Sequence, residues 1–231
     1  MNIAVMQPYF FPYLGYFQLI NLVDRFYLYD DVNFIRRGWV NRNRVLLAGK
    51  PYWFTLPLVD ASQNRKINEH DIARDRNFVK LEASLKHAYA KAPMFEQVFP
   101  LLCRLLRDEE NNLAIFLKNT LAAVTEYIGI SKPILVTSET AMHGEAKGQD
   151  RILEICCAAG ASRYINPVGG QQLYDQDAFS TRGIDLQFLQ SRPVMYQQYA
   201  GGFQPQLSII DVMMFNDRLE IQSMLNEFDL I

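Results

Sequence analysis

The sequence has few cysteines. Cys103, Cys156 and Cys157 are the only three, and the last two are adjacent. An odd number with this spacing provides neither a disulfide framework nor a set of zinc ligands. We therefore expect three unreactive thiols buried in the core and no cysteine-based metal site.

Long hydrophobic runs and an excess of charge are also missing. No apolar stretch reaches the roughly 20 residues that a membrane-spanning helix needs, and no basic segment followed by an apolar run opens the chain. We expect a cytoplasmic protein without a membrane span. The formal net charge is −2, which argues against nucleic acid as a partner because phosphate-backbone binding needs a pronounced basic face.

Alternating hydrophobic patterns predict an α/β protein. Hydrophobic residues make up 49% of the 231 residues and charged residues 21%, as in an ordinary globular domain. A strand–helix–strand unit is predicted first, then a hairpin, and strand–helix alternation returns near the C-terminal half. The predicted ranges are 2–6, 15–23, 25–29, 44–47, 52–58, 133–137, 149–159, 163–165 and 184–189.

The middle of the chain reads as helical. Apolar residues recur at three- and four-residue spacing over 75–129, and Pro93 and Gly129 mark the breaks between helices. We predict a single domain over residues 1–231 with 75–129 as a helical insertion or subdomain. Its sheet should be mostly parallel, doubly wound and Rossmann-like, with helices on both faces and an added β-hairpin.

The first polar cluster follows the first predicted strand. Pro8 and Pro12 fix the backbone of this turn, and Gly15 leaves no Cβ where a helix begins and a ligand could approach. Gln7 and Tyr13 lie in the same turn. Ligands of doubly wound sheets bind beyond the carboxyl ends of the strands, so we predict a ligand site here.

The second cluster follows the next strand. Asp30 and Asp31 are adjacent carboxylates that could hold a magnesium ion or orient sugar hydroxyls. The arginines and asparagines after them offer donors to phosphate or carboxylate groups. Alternatively, these charges pair with one another on a solvated hairpin. The basic and amide residues of this cluster are Arg36, Arg37, Asn41, Arg42, Asn43 and Arg44.

The third cluster leaves a strand and enters a helix. Lys147 and Gly148 lie where a helix N-terminus would attract an anion, and Ser138 opens the same loop. The glycine spacing of a Walker A loop is absent, and a plain capping turn with Asp150 is the alternative. His143 is the one histidine that we consider for acid–base chemistry.

Two more clusters lie further along the chain. Gly169 and Gly170, with Tyr174 after them, either cradle a phosphate or simply turn the chain. Ser208 before an apolar run, with Asp211 three residues later, predicts an N-terminal capping box.

Taken together, these residues resemble the WbqC-like family across essentially the whole chain. The matching features are Gln7-Pro8, Pro12-x-x-Gly15-Tyr16-Phe17, the segment 29–44, Gly160-Ala-Ser-Arg-Tyr164, Tyr174 and Phe203-x-Pro-x-Leu-Ser-Ile-Ile-Asp211. The resemblance implies bacterial surface-polysaccharide biosynthesis and a proposed glycine transferase acting on an amino sugar. The sequence departs from the family pattern at Asn166-Pro167, where Ser-Gly is more usual.

A more distant resemblance concerns the opening turn. Its layout is similar to that of nucleotidylyltransferases and class I aminoacyl-tRNA synthetases, in which a His-x-Gly-His motif opens a helix. Here Tyr13 and Tyr16 stand at the two histidine positions around Gly15. A tyrosine donates one hydrogen bond but supplies no cation at neutral pH. The resemblance implies a nucleotide site whose positive charge comes from Arg36, Arg37, Arg42 or Lys147.

The leading hypothesis is an enzyme that transfers an aminoacyl or small acyl group to a nucleotide-linked amino sugar. Such a transfer needs a base and an oxyanion donor. We predict Asp30 or Asp31 as the base and Tyr16, Arg42 or Lys147 as the donor. The nucleotide or nucleotide sugar is a substrate, magnesium is a candidate cofactor, and no oligomeric state is predicted.

The predicted substrate-binding residues come from all the strand-end clusters. The alternative hypothesis, of a different class, is a non-catalytic nucleotide- or sugar-binding module in a polysaccharide assembly pathway. Convergence of Asp31, Arg42 and Lys147 on one cleft would favour the enzyme. The predicted binding set is Gln7, Pro8, Tyr13, Gly15, Arg36, Arg37, Asn41, Asn43, Ser138, Gly148, Gly169 and Tyr174.

Overall fold

A computed structural model describes residues 1–140, 144, 146–199 and 201–231. His143 lies outside these residues. The strands of the described chain are β1 (Asn2–Met6), β2 (Arg25–Leu28), β3 (Arg42–Leu47), β4 (Lys50–Thr55), β5 (Ile134–Val136), β6 (Arg163–Pro167), β7 (Asp185–Ser191) and β8 (Phe228–Leu230). The α-helices are α1 (Leu14–Leu22), α2 (Arg76–Tyr89), α3 (Phe95–Leu106), α4 (Leu113–Ile128), α5 (Gly148–Ala159), α6 (Gln176–Ser180), α7 (Ile209–Phe215) and α8 (Arg218–Met224).

Six strands form the main sheet in the order β5-β2-β1-β6-β7-β8. The first five are parallel, and β8 pairs antiparallel with β7 at one edge. Beginning at β1, the chain builds the sheet toward β5 and then returns to the other side of β1 with β6. This reversal between β1 and β6 is the switch point of a doubly wound sheet. The predicted fold class is confirmed.

Side chains of β1 alternate between two hydrophobic layers. Ala4 belongs to the cluster that includes Phe17 of α1, whereas Ile3 and Val5 belong to the cluster that includes Ile152 of α5. A strand buried on both faces reads as a continuous apolar run rather than an alternating one. Helices on both faces therefore follow from the all-apolar centre of β1.

The predicted hairpin is confirmed as a separate two-stranded sheet of β3 and β4. Its turn residues Ala48 and Gly49 have φ of 51° and 74°, as the tight turns that match strand twist require. The second strand ends at Thr55 rather than at residue 58. Pro57 explains the early end, because it has no N–H to continue the ladder.

Helices α2, α3 and α4 occupy the range predicted to be helical. Asp75 caps α2 by accepting hydrogen bonds from the N–H groups of Asn77 and Phe78, and Gly129 ends α4 with φ of +84°. Their buried faces share a hydrophobic cluster with α1 and the sheet. No helix among the described residues is both long and apolar enough to cross a membrane.

The cysteine prediction is right for two residues and wrong for the third. Cys103 and Cys156 are buried, whereas Cys157 is exposed. Cys156 packs with Ile152 on the buried face of α5. The next residue lies about 100° further around the helix and therefore faces solvent.

Candidate functional site

The ends of β2 and β5 are joined by hydrogen bonds that the Asp30 carboxylate accepts. This carboxylate is 2% exposed. It accepts hydrogen bonds from the backbone N–H of Ser138 at 3.1 Å and from the Ser138 hydroxyl at 2.5 Å. Buried and satisfied in this way, Asp30 positions the loop after β5 and has little freedom to act as a base.

Asp31 forms an ion pair with a buried arginine. Its Oδ1 accepts a hydrogen bond from the Thr137 hydroxyl at 2.6 Å, and its Oδ2 lies 3.3 Å from Nη2 of Arg151. The Arg151 side chain is 2% exposed, whereas that of Asp31 is 16% exposed. Arg151 also pairs with Glu154 on its own helix, at 3.4 Å. The carboxylate therefore presents an accessible surface backed by a buried cation.

Tyr29 extends this group toward β6. Partial burial raises the pKa of Tyr29 and the charge of Asp31 raises it further, while a hydrogen bond with Arg151 acts in the opposite direction. Tyr174, in the loop after β6, also raises the pKa of Tyr29 through an electrostatic interaction. We call the group of Tyr29, Asp31, Ser138, Arg151 and Tyr174 the carboxyl-end site.

The loop after β6 is held by a network of two tyrosines and an asparagine. The side-chain amide of Asn166 donates to the Tyr164 hydroxyl at 2.7 Å, and the hydroxyls of Tyr164 and Tyr174 lie 3.1 Å apart. Burial raises the pKa of both phenols, so both stay neutral near pH 7. This network fixes one wall of the carboxyl-end site.

The two glycines of this loop have different surroundings. A Cβ on Gly170 would lie 2.3 Å from Oδ1 of Asn166, whereas a Cβ on Gly169 would meet nothing within 4 Å. Gly170 is therefore required for packing against Asn166. Gly169 is exposed and keeps its predicted binding role as a proposal.

The N-terminus of α5 lies beside the same loop. Lys147 precedes the helix, and both Lys147 and Gly148 are exposed. The side-chain oxygen of Gln149 accepts a hydrogen bond from the backbone N–H of Asp175 at 2.5 Å, next to Tyr174. The N-terminal end of α5 therefore has an exposed cation at its N-cap, Lys147, and a buried one in its first turn, Arg151.

The opening turn packs as part of the core. Tyr16 is fully buried, and its hydroxyl donates to the backbone carbonyl of Gln7 at 2.9 Å. A Cβ on Gly15 would lie 2.6 Å from Oγ of Ser191 and 2.7 Å from Cε2 of Tyr13. Protein atoms, not open space, therefore face Gly15. Of the turn residues predicted to bind, Pro8 is buried, while Gln7 and Tyr13 are partly exposed.

The residues predicted to bind after Asp31 donate hydrogen bonds mainly to backbone carbonyls. Asn43 donates to the carbonyl of Phe11 at 2.8 Å, and Asn41 donates to that of Leu56 at 2.8 Å. Arg36 donates to the carbonyl of Ala61. The hydrogen bonds of Arg42 go to the carbonyls of Arg37 and Gly38, within its own segment. The structure thus gives Arg42 and Asp31 separate partners and places Lys147 at the N-cap of α5, the helix that carries Arg151.

The sequence pattern did not identify Arg151 or Thr137. Arg151 reads as one of several charges at the start of a helix. Its position four residues after Lys147, among the apolar residues Ile152, Leu153 and Ile155, is the available sign that it lies on the inner face. Thr137 is the last residue predicted for a strand and has no distinguishing neighbour in sequence.

The predicted capping box is half right. Ser208 is the N-cap of α7 and accepts a hydrogen bond from the N–H of Ile210 at 3.2 Å. Asp211 is fully buried and instead accepts hydrogen bonds from the hydroxyls of Tyr89 and Tyr196, both at 2.8 Å, and from the Gln198 amide at 2.7 Å. Three donors therefore hold this carboxylate, of which Tyr89 is buried and Tyr196 and Gln198 are partly buried.

The paired aspartates Asp30 and Asp31 are the predicted candidates for magnesium binding. Among the described residues, no group of three or more histidine, cysteine, aspartate or glutamate side chains is arranged to hold a metal ion. A magnesium ion at Asp31 would need further oxygen ligands from substrate or water.

The fold and this site define a doubly wound α/β protein with a polar site at the carboxyl edge of its sheet. The chain belongs to the WbqC-like protein family, whose model matches residues 7–223. It is also similar to "Uncharacterized protein Rv1507c" of Mycobacterium tuberculosis (strain ATCC 25618 / H37Rv), with 29% identity over 217 residues that cover 92% of each chain. No solved structure matches the chain.

Proposed function

We propose that this protein is an enzyme of bacterial O-antigen or other surface-polysaccharide biosynthesis. It transfers a glycyl or other small acyl group to a nucleotide-linked amino sugar at the carboxyl-end site. One observation supports the proposal most strongly: Asp31 pairs with the buried Arg151 at the ends of β2 and β5, close to the chain reversal beside β1. Ligands of doubly wound sheets bind in this region.

Asp31 is the group proposed to accept the proton. The sugar amine attacks the carbonyl carbon of an activated acyl donor, a C–N bond forms, and the bond to the leaving group breaks. The leaving group departs with the electron pair, and the amine proton passes to Asp31. Each carboxylate oxygen has a second lone pair beyond the one used by Thr137 or Arg151. The exposed part of the carboxylate gives the amine access.

Positive charge for the substrate comes from α5. Lys147 is exposed at the N-terminus of this 12-residue helix, where unpaired N–H groups and the helix dipole favour an anion. We propose that Lys147 and Gly148 hold the diphosphate of the nucleotide. Gln7, Ser138, Gly169 and Tyr174 complete the binding surface around it.

Three residues that were predicted to be catalytic are not part of the proposed catalytic group. Asp30 and Tyr16 are buried with their polar atoms already bonded, and Arg42 is bonded within its own segment. We propose that these three residues position the loops around the site. The same observation favours the second candidate, a binding module without turnover, because fewer reactive groups remain at the site.

A transfer assay separates the two candidates. The protein would be incubated with nucleotide-linked amino sugars and a glycyl thioester or glycyl adenylate, and products would be read by mass spectrometry. The enzyme proposal expects glycylated sugar from wild type, much less from Asp31→Asn and Lys147→Ala, and unchanged product from Lys80→Ala, an exposed lysine on α2. Saturable sugar binding with no product from any donor would support the binding module instead.

A further inference from the structure

Charge is distributed unevenly along this slightly acidic protein. Between residues 32 and 59 the chain has no aspartate or glutamate but has five basic residues: Arg36, Arg37, Arg42, Arg44 and Lys50. This segment includes the hairpin and the loop before it. The chain from residue 32 to residue 59 is therefore locally cationic in a protein of net charge −2.

The same segment exposes an unusual share of large apolar side chains. Of the thirteen such side chains exposed among the described residues, five lie here: Ile35, Trp39, Tyr52, Trp53 and Val59. Ile35 is 54% exposed and Trp53 is 43% exposed. Single exposed apolar residues are common, but a concentration of them marks an interaction surface.

Arginine and tryptophan side chains of the hairpin and of the loop before it lie in a continuous row. The guanidinium of Arg42 lies 4.0 Å from the ring centre of Trp53, the rings of Trp53 and Trp39 are 5.5 Å apart, and Arg44 lies 5.6 Å from the ring of Trp39. Hydrogen bonds from Arg42 to the backbone carbonyls of Gly38 and Arg37 hold its side chain in this row. We call Ile35, Arg37, Trp39, Arg42, Arg44 and Trp53 the Trp–Arg face.

The turn before the hairpin adds an aliphatic tip to this face. The N–H of Gly38 donates to the carbonyl of Ile35 at 3.1 Å, and Arg37 between them has φ of +60°. The exposed Ile35 and Arg37 therefore lie in one tight turn that directly precedes Trp39 in the chain. The carbonyl of Trp39 in turn accepts a hydrogen bond from Phe10, which anchors the face to the opening turn.

We propose that the Trp–Arg face binds an anionic lipid bilayer surface. Tryptophan favours the interfacial region of a bilayer, and each basic residue near an anionic leaflet contributes about 1 kcal/mol, or about five-fold in affinity. The exposed Ile35 adds apolar burial to this binding, because its side chain enters the boundary between the headgroups and the acyl chains. A soluble polyanion would use the arginines but would gain little from Ile35. The inference rests on residues outside the carboxyl-end site and does not depend on the proposed function.

Vesicle binding tests the proposal. The full-length protein would be sedimented with vesicles of phosphatidylglycerol and phosphatidylcholine, and separately with phosphatidylcholine alone, at low and high salt. We expect binding to the anionic vesicles only, with weakening at high salt. Arg37→Asn should bind about five-fold more weakly, and asparagine tolerates the positive φ. Ile35→Ser should reduce binding roughly ten-fold.

Matched variants on other surfaces act as controls. Arg25→Asn removes an exposed charge at the amino end of β2, and Leu219→Ser removes an exposed aliphatic side chain from α8. Both should bind vesicles as wild type does. Absence of binding to anionic vesicles at low salt would overturn the proposal. So would equal binding to heparin or single-stranded DNA with no effect of Ile35→Ser, since that result indicates a general polyanion site.

Discussion

Arg151 of α5 contacts Asp31 across the carboxyl ends of two strands, with Nη2 and Oδ2 separated by 3.3 Å. The cation is almost completely buried and the carboxylate is partly exposed. Such a pair is costly to break, because without Asp31 the buried Arg151 keeps only the half-exposed Glu154 as a carboxylate partner among the ion pairs described above. The pair therefore links the stability of the sheet edge to the chemistry proposed there.

Replacement of Asp31 should reduce stability as well as activity. We expect Asp31→Ala to lower the free energy of unfolding by about 2–3 kcal/mol, because the carboxylate facing Arg151 is lost. Asp31→Asn should lower the free energy of unfolding by less, since its amide oxygen still accepts the hydrogen bond from the Thr137 hydroxyl. Urea unfolding measures both. Glu126→Ala, at an exposed position on α4, is the control and should be neutral; an equally neutral Asp31→Ala would show that the pair is unimportant for stability.

Gly15 is predicted to be a packing requirement. The methyl group of Gly15→Ala would overlap Ser191 and Tyr13, and overpacking of this kind typically costs about 1–3 kcal/mol. Gly169→Ala should have little effect, because its Cβ would enter open space. Thermal unfolding of the two variants makes the comparison. Equal stability of both would contradict the packing role.

Asp211 should give a characteristic pH dependence. Burial raises the pKa of Asp211 in the folded protein, against hydrogen bonds from Tyr196, Tyr89 and Gln198 that lower it. The folded state therefore holds this proton more tightly than the unfolded state, whose pKa is about 3.9. The resulting stabilisation is present below pH of about 4 and is lost as pH rises through the folded pKa.

Comparison with Asp211→Asn isolates this effect from the other carboxylates. The free energy of unfolding of wild type relative to this variant should fall as pH rises from about 4. Urea unfolding at a series of pH values gives the difference directly. A difference that grows with pH would mean that the three hydrogen bonds outweigh burial.

The cysteines should differ sharply in reactivity. Burial raises the pKa of the Cys156 thiol to about 12 and that of Cys103 to about 11, whereas Cys157 is exposed. Only the thiolate is nucleophilic. We expect one thiol to react rapidly with a thiol reagent in the folded protein and all three after unfolding. Cys157→Ser should abolish the rapid phase; its persistence would show that a buried cysteine reacts.

The fold was predictable from sequence because its signals are local. The apolar centre of β1 and the helix after it indicate a buried parallel strand, and the polar residues after successive strands must meet at one sheet edge. The direction of individual side chains was not predictable. Asp30 and Asp31 are adjacent, yet one is buried and the other partly exposed, because Ser138 and Arg151 approach from distant parts of the chain.

Long-range partners account for the other differences. Asp211 lies 122 residues from Tyr89, so its local spacing after Ser208 suggested a capping box that does not form. The space in which a Cβ of Gly15 would lie is occupied by Ser191, on a strand that comes much later in the sequence. Local patterns identified these residues but not their contacts.

Ligand binding tests the central claim, that the carboxyl-end site holds a nucleotide-linked substrate. Thermal unfolding would be followed with nucleoside diphosphates and nucleotide-linked amino sugars, using wild type, Lys147→Ala and the control Lys80→Ala. A ligand at 100 times its dissociation constant stabilises the folded state by about 2.7 kcal/mol. We predict such a stabilisation for wild type and Lys80→Ala and a much smaller one for Lys147→Ala. No stabilisation by any of these ligands, or one that Lys147→Ala leaves unchanged, would contradict the account.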